Sequence, residues 1–167
     1  MINQGNLPPQ ALDVELAVLG AILIDAKALE SVSGLLHENI FYDSKNKKIF
    51  SAMKSLFDSN NPIDLLTVSQ KLRKQNTIEE VGGDVYLIEL SQATASSAHI
   101  EHHVQILVEM YLKREVISLS QFALKKAYAK DTDVFNLLDE VGSSLDAVSD
   151  TLSASYTSKS WYDAMRE

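Results

Sequence analysis

Apolar residues recur along this chain at three- and four-residue intervals, the period of a helix with one buried face. Leu16, Leu19, Ile22 and Leu23 form one such stripe, with Asp13 placed to cap its start. Leu29, Val32, Leu35 and Leu36 form a second behind Asp25, and Ile49, Met53, Leu56 and Phe57 a third behind Asp43 or Ser44. Asn60-Asn61-Pro62 interrupts the pattern, and Asp64 restarts it as the cap of a helix over Leu65 to Lys74 with Val68 and Leu72 inward. Gly82-Gly83 then punctuates before Tyr86, Leu87 and Leu90. No segment sustains period-two alternation, and Ile78 to Val81 is too short for a strand. The pattern predicts an all-α fold, with a polar leader over residues 1–9 and a compact bundle of short helices over residues 10–97.

The texture changes after Ala93-Thr94-Ala95-Ser96-Ser97, because Ala98 to Tyr128 contains neither Gly nor Pro and reads as one long helix. Its first half, with Val104, Ile106, Leu107, Val108, Met110, Tyr111 and Leu112, is apolar around most of its circumference. A turn at Lys130 to Asp133 sets acids at the start of a second arm, Val134 to Leu152. There Val134, Leu138, Val141, Leu145, Val148 and Leu152 make an unbroken heptad seam, with Phe135 and Leu137 off it. The pattern thus predicts a long antiparallel helical hairpin over residues 98–152. Two helices bury only their facing stripes, so the remaining apolar surface calls for a second copy of the chain. The candidate residues for hairpin packing or the oligomer interface are Leu112, Val116, Leu119 and Ala123 on one arm and Leu138, Val141, Leu145 and Val148 on the other. Spacing alone leaves open which stripe closes the hairpin and which meets the partner. Ser149 to Ser160 is rich in Ser and Thr and reads as a flexible linker, making residues 153–167 a connection. Trp161, Tyr162, Ala164 and Met165 would begin a further helix leading to a second domain.

Composition narrows the chemistry. A net charge of −8 opposes adhesion to a phosphate backbone or an anionic membrane surface. The absence of cysteine excludes disulfides and thiolate metal sites and favours a reducing compartment. The N-terminus lacks the basic and apolar regions of a secretory signal, and no run is long enough to span a bilayer, so the cytoplasm is the expected location.

Candidate sites are few. His99 and His103 stand four apart beside Glu101 and His102, a spacing that could ligate one ion from a helix face, although HExxH order is lacking. No glycine precedes a lysine, so Gly82-Gly83 is a turn and not a phosphate loop. Lys45, Lys47 and Lys48, with Lys71, Arg73 and Lys74, read as solvated helix faces, as do the acidic pairs Glu79-Glu80 and Asp139-Glu140. These residues supply no catalytic, cofactor or metal site, and the expectation is an interaction module without its own enzymology.

The ordered blocks Leu7-Pro-Pro-Gln10, Glu15 to Asp25, Phe41-Tyr42-Asp43 with Lys48-Ile49-Phe50, Pro62 to Leu65 with Thr67 and Leu72, Gly82-Gly83 with Tyr86-Leu87 and Leu90, and Ala98 to Ile117 carry a resemblance. Taken together they resemble the N-terminal domain of the bacterial replicative DNA helicase, the DnaB family. The resemblance implies a globular subdomain and a hairpin, with hairpins pairing so that six copies form a collar as a trimer of dimers. It also implies a RecA-like ATPase domain, absent from this fragment, that unwinds DNA with ATP and Mg2+. Trp161, Tyr162 and Met165 would then begin the helix linking the tiers. Primase and, in some systems, a helicase loader are implied as partners of the collar, with single-stranded DNA passing through at most weak contact. Two alternatives stand beside this reading: a stand-alone helical adaptor of the replication machinery, and a small helical metal-dependent hydrolase using His99, Glu101, His102 and His103.

Overall fold

The computed structural model describes the backbone of residues 7–164 and the side chains of residues 7–153. Among the described residues all regular structure is helical: α1 (Leu12–Ile24), α2 (Lys27–Val32), a 3-10 turn (Glu38–Ile40), α3 (Ser44–Asp58), α4 (Leu65–Lys74), α5 (Gly83–Gln92), α6 (Ile100–Ala127) and α7 (Val134–Ala164). The chain divides into two compact units, Gln10–Val108 and Met1–Pro9 together with Glu109–Glu167.

Local chemistry sets several helix starts. Asp43 caps α3 by accepting the Lys45 N–H at 2.7 Å. At α4, Asp64 accepts the Thr67 N–H at 2.8 Å while the Thr67 hydroxyl accepts the Asp64 N–H at 2.9 Å, a reciprocal capping box. Gly82 (φ 98°) and Gly83 (φ 70°) supply the left-handed backbone that closes the turn into α5. Two expected caps differ. Ala11, not Asp13, stands at the N-cap of α1, and Asp13 occupies the first turn, where its charge still favours the helix start. Asp25 lies one residue ahead of the α2 cap, Ala26, yet accepts the Lys27 N–H at 3.1 Å.

In the first unit α1 packs on α2, α3 and α5, while α4 packs on α3 and α5. The expected single stripe on α1 gives way to burial all round: Val18 to Leu23 are all buried, because neighbours cover every side of this turn. Close approach of α1 and α5 depends on Gly20, where a Cβ would lie 2.3 Å from the Leu90 carbonyl oxygen. Phe41 and Phe50 lie 5.0 Å apart between ring centroids, and the core they belong to also holds Ile49, Met53, Val68, Leu72 and Leu87.

One charged residue sits inside this core. Glu15, 1% exposed, accepts the N–H groups of Tyr42 and Asp43 and the Asn46 amide Nδ2 at 2.8 Å. Asn46 in turn accepts the Tyr86 hydroxyl at 2.8 Å, so a carboxylate on α1 completes the N-terminus of α3 and reaches α5 through a side-chain relay. Burial, with Asp43 and Glu15 nearby, raises the Tyr86 pKa above its ordinary value.

Two boundaries depart from the sequence-based expectation. The division falls between Val108 and Glu109, inside α6, and not at residues 97/98, because Ile100, Val104, Leu107 and Val108 are buried and belong to the globular unit. The linker expected over residues 153–167 is instead a continuation of α7 to Ala164. After Gly142 the sequence holds no Gly or Pro, and its hydroxyls bond back to the preceding turn: Ser144 to the Glu140 carbonyl at 2.8 Å, Thr151 to Ala147 at 3.1 Å and Ser153 to Ser149 at 3.0 Å. No separate helix begins at Trp161. The side chains of Trp161 and Tyr162, and Met165 as a whole, lie outside the described residues.

Candidate functional site

The second unit carries the residues expected to mediate assembly. Asp133 starts α7 by accepting the Asn136 N–H at 2.9 Å, so one acid of the 130–133 turn serves the helix N-terminus. Residues of both arms line two open recesses. One, of about 290 Å³, is bounded by Glu115, Ser118, Leu119 and Phe122 of α6 and by Ser144 and Val148 of α7. The other, of about 260 Å³, adds Tyr111 and Leu112 opposite Ala147, Val148 and Thr151. Phe122 shares the first recess with Ser144 and Tyr111 the second with Thr151, an order that runs in opposite senses along the two arms.

This geometry sorts the eight candidates. Leu112 is buried; Leu119, Ala123, Val141 and Val148 are half-buried, with Leu119 and Val148 lining the same recess. Val116, Leu138 and Leu145 point to solvent at 45%, 65% and 51% exposure. The heptad seam of α7 is therefore split: Val141 and Val148 are half-buried, Val148 in a recess shared with α6, whereas Val134, Leu138, Leu145 and Leu152 are exposed. Sequence reading missed a matching outward stripe on α6, formed by Ile117, Leu124 and Tyr128, all exposed. Its i, i+7, i+11 spacing was the available signal, hidden because apolar residues surround the earlier half of that helix.

Polar groups at the near end of the unit are locally satisfied. Arg114 donates to the Pro9 carbonyl at 2.8 Å and lies over the Tyr111 ring. Burial, reinforced by Glu115 and opposed by Arg114, raises the Tyr111 pKa.

In the globular unit the remaining candidates are dispersed. His99 and His102 are exposed and His103 is half-buried; burial foremost, then His102 and His99, lowers the His103 pKa, against an opposing pull from Asp13. No group of three or more His, Asp or Glu side chains among the described residues is placed to hold a metal ion. Each basic cluster is tied to neighbours in part: Lys48 pairs with Glu80, Arg73 with Asp84, and Lys45 lies over the Tyr86 ring. Among the described residues no helix is long and apolar enough to cross a membrane.

Comparison with known proteins agrees with this architecture. The family model described as DnaB-like helicase N terminal domain matches residues 7–109, a span close to the globular unit. The replicative DNA helicase DnaB of Rhodothermus marinus is 40% identical over 146 residues, covering 87% of this chain and 15% of that protein. The DnaB of Geobacillus stearothermophilus is 36% identical over 135 residues, covering 81% of this chain and 30% of its own length. This chain thus spans under a third of either relative. Among solved structures, the N-terminal domain of DnaB helicase from Mycobacterium tuberculosis superposes with a TM-score of 0.79 at 25% identity, covering 84% of this chain and 99% of that one. A DnaB-like replicative helicase, described with its interactions with primase, gives a TM-score of 0.68 at 25% identity over 83% of this chain and 31% of that one. Helical architecture, family match and relatives converge: this chain belongs to the DnaB-like helicase N-terminal domain family.

Proposed function

We propose that this chain is the assembly collar of a replicative DNA helicase, pairing subunits through its hairpin and offering a docking platform to primase and, where present, a loader. One observation carries the proposal: on the hairpin unit, Val116, Ile117, Leu124, Val134, Leu138 and Leu145 are 41–65% exposed, and Tyr128 and Phe135 reach 83% and 79%. Fully burying one such side chain stabilises by about 1.5–3 kcal/mol, so a face several turns long strongly favours association. Primase docking draws support from the structural relative described with primase. In the complete protein, DNA unwinding would belong to an ATPase domain that uses ATP and Mg2+, with single-stranded DNA touching this acidic collar weakly and the whole acting in the bacterial cytoplasm.

Sedimentation of this chain across a concentration series tests the pairing. The expected result is reversible dimers at micromolar concentration, with larger even-numbered species as concentration rises. A monomer persisting well above that range would refute the assembly role. Leu138→Lys with Leu145→Lys should shift the protein toward monomer while leaving its far-ultraviolet circular dichroism unchanged, since both positions face solvent.

A further inference from the structure

The two recesses of the hairpin unit share Glu115, Ser144 and Val148, so they adjoin as one groove between the arms. From Tyr111 to Phe122 it runs about 16 Å, at about 1.5 Å of rise per residue. Leu119, Phe122 and Val148 give it apolar walls, and Glu115 is the carboxylate common to both halves. Glu115 is half-buried, yet among the described residues it has no ion-pair partner. The hydroxyls decide the sign of a ligand. Ser144 donates its proton to the Glu140 carbonyl at 2.8 Å and Thr151 to the Ala147 carbonyl at 3.1 Å, so each has only oxygen lone pairs left to offer. These acceptors and the carboxylate suit a ligand that only donates, as an ammonium does and a phosphate or carboxylate does not. Size narrows the choice further: pockets for drug-sized ligands hold about 300–1,000 Å³. The recesses hold about 290 and 260 Å³, which selects a slender, unbranched chain. At the two ends the rings already carry cations of this chain, Arg114 over Tyr111 and Lys126 over Phe122, so a ligand's charge is directed to Glu115 between them.

We propose that this groove binds a short, unbranched aliphatic amine, with the ammonium on Glu115 and the Ser144 and Thr151 oxygens and the methylenes along Leu119 and Val148. The exposed apolar stripe of α6 does not compete for it. Ile117 and Leu124 stand two positions beyond Glu115 and Phe122, about 200° further round the helix, and so lie on the other side of α6. The amine site is therefore independent of the pairing proposed above.

Titration of the 167-residue chain with putrescine and with n-butylamine, followed by proton–nitrogen NMR, tests it. Saturable shifts are expected at residues 111–122 and 144–151. Glu115→Gln keeps the shape and removes the charge, and should raise the dissociation constant about tenfold or more. Glu109→Gln removes an exposed carboxylate held by Lys113 at 2.6 Å and absent from the groove lining, and should leave the affinity unchanged. Ser144→Leu, at an exposed position, fills the groove without altering charge and should also weaken binding. Circular dichroism should show all three variants folded. Shifts that never saturate or that spread over the acidic surface, or a Glu115→Gln chain that binds as tightly as wild type, would overturn the amine site.

Discussion

Replacing Glu15 by Gln isolates the worth of the buried carboxylate. Two carboxylate oxygens meet three donors, the N–H groups of Tyr42 and Asp43 and the Asn46 amide. Gln keeps the shape but turns an NH2 group toward a donor, so at least one contact becomes donor against donor. Losing a hydrogen bond to a charged group costs about 1.5–3 kcal/mol, and removing a negative charge from a helix N-terminus adds about 0.3–1 kcal/mol. The sum is a loss of about 2–4 kcal/mol from the globular unit. For a domain of this size each kcal/mol corresponds to about 4–8 °C, so the melting temperature should fall by about 8–30 °C. Urea titration followed by circular dichroism gives the free energy, and Asn46→Ala alone and combined with Glu15→Gln gives the coupling between the two side chains. Strong non-additivity is expected, since removing Glu15 first leaves Asn46 with less to lose. A change below about 0.5 kcal/mol, the ordinary scale of a surface substitution, would refute the claim that this carboxylate organises α3.

Gly20→Ala should destabilise despite alanine's better helix propensity: overpacking against the Leu90 carbonyl costs about 1–3 kcal/mol against a gain near 1 kcal/mol, and a lower urea midpoint checks it. Tyr86→Phe should lose about 0.5–1.5 kcal/mol in the same titration, as Asn46 forfeits one donor. For His103 the folded pKa lies below 6.5, so folding resists protonation: its contribution is intact above that pH and lost as pH falls through it toward the folded value. His103→Gln should accordingly flatten the decline of melting temperature on acidification, and an unchanged slope would contradict the assignment.

What could be read in the sequence was what depends on near neighbours. Asp64 and Thr67 fix the start of α4 within three residues of each other, and Asp43 fixes that of α3. The division of labour between Val141 and Leu145 was not legible, because both satisfy the same heptad and only the placement of α6 tells them apart. Glu15 stands with Asp13 as an acid in the first turn of α1, and its partners lie 27 to 31 residues along the chain, beyond any local pattern. At the end of α7 the absence of helix breakers after Gly142 outweighs the serine and threonine content that favours a linker.

Those serines and threonines give α7 a further property. Each is a weaker helix former than alanine, by up to about 0.7 kcal/mol, so residues 142–153 gain little from propagation alone. Coverage of Leu138 and Leu145 by a neighbouring protomer would supply what the intrinsic helix–coil balance withholds. Mean residue ellipticity at 222 nm should then rise on concentrating the protein, along the same isotherm that describes its association, making helix content in this arm a spectroscopic gauge of occupancy.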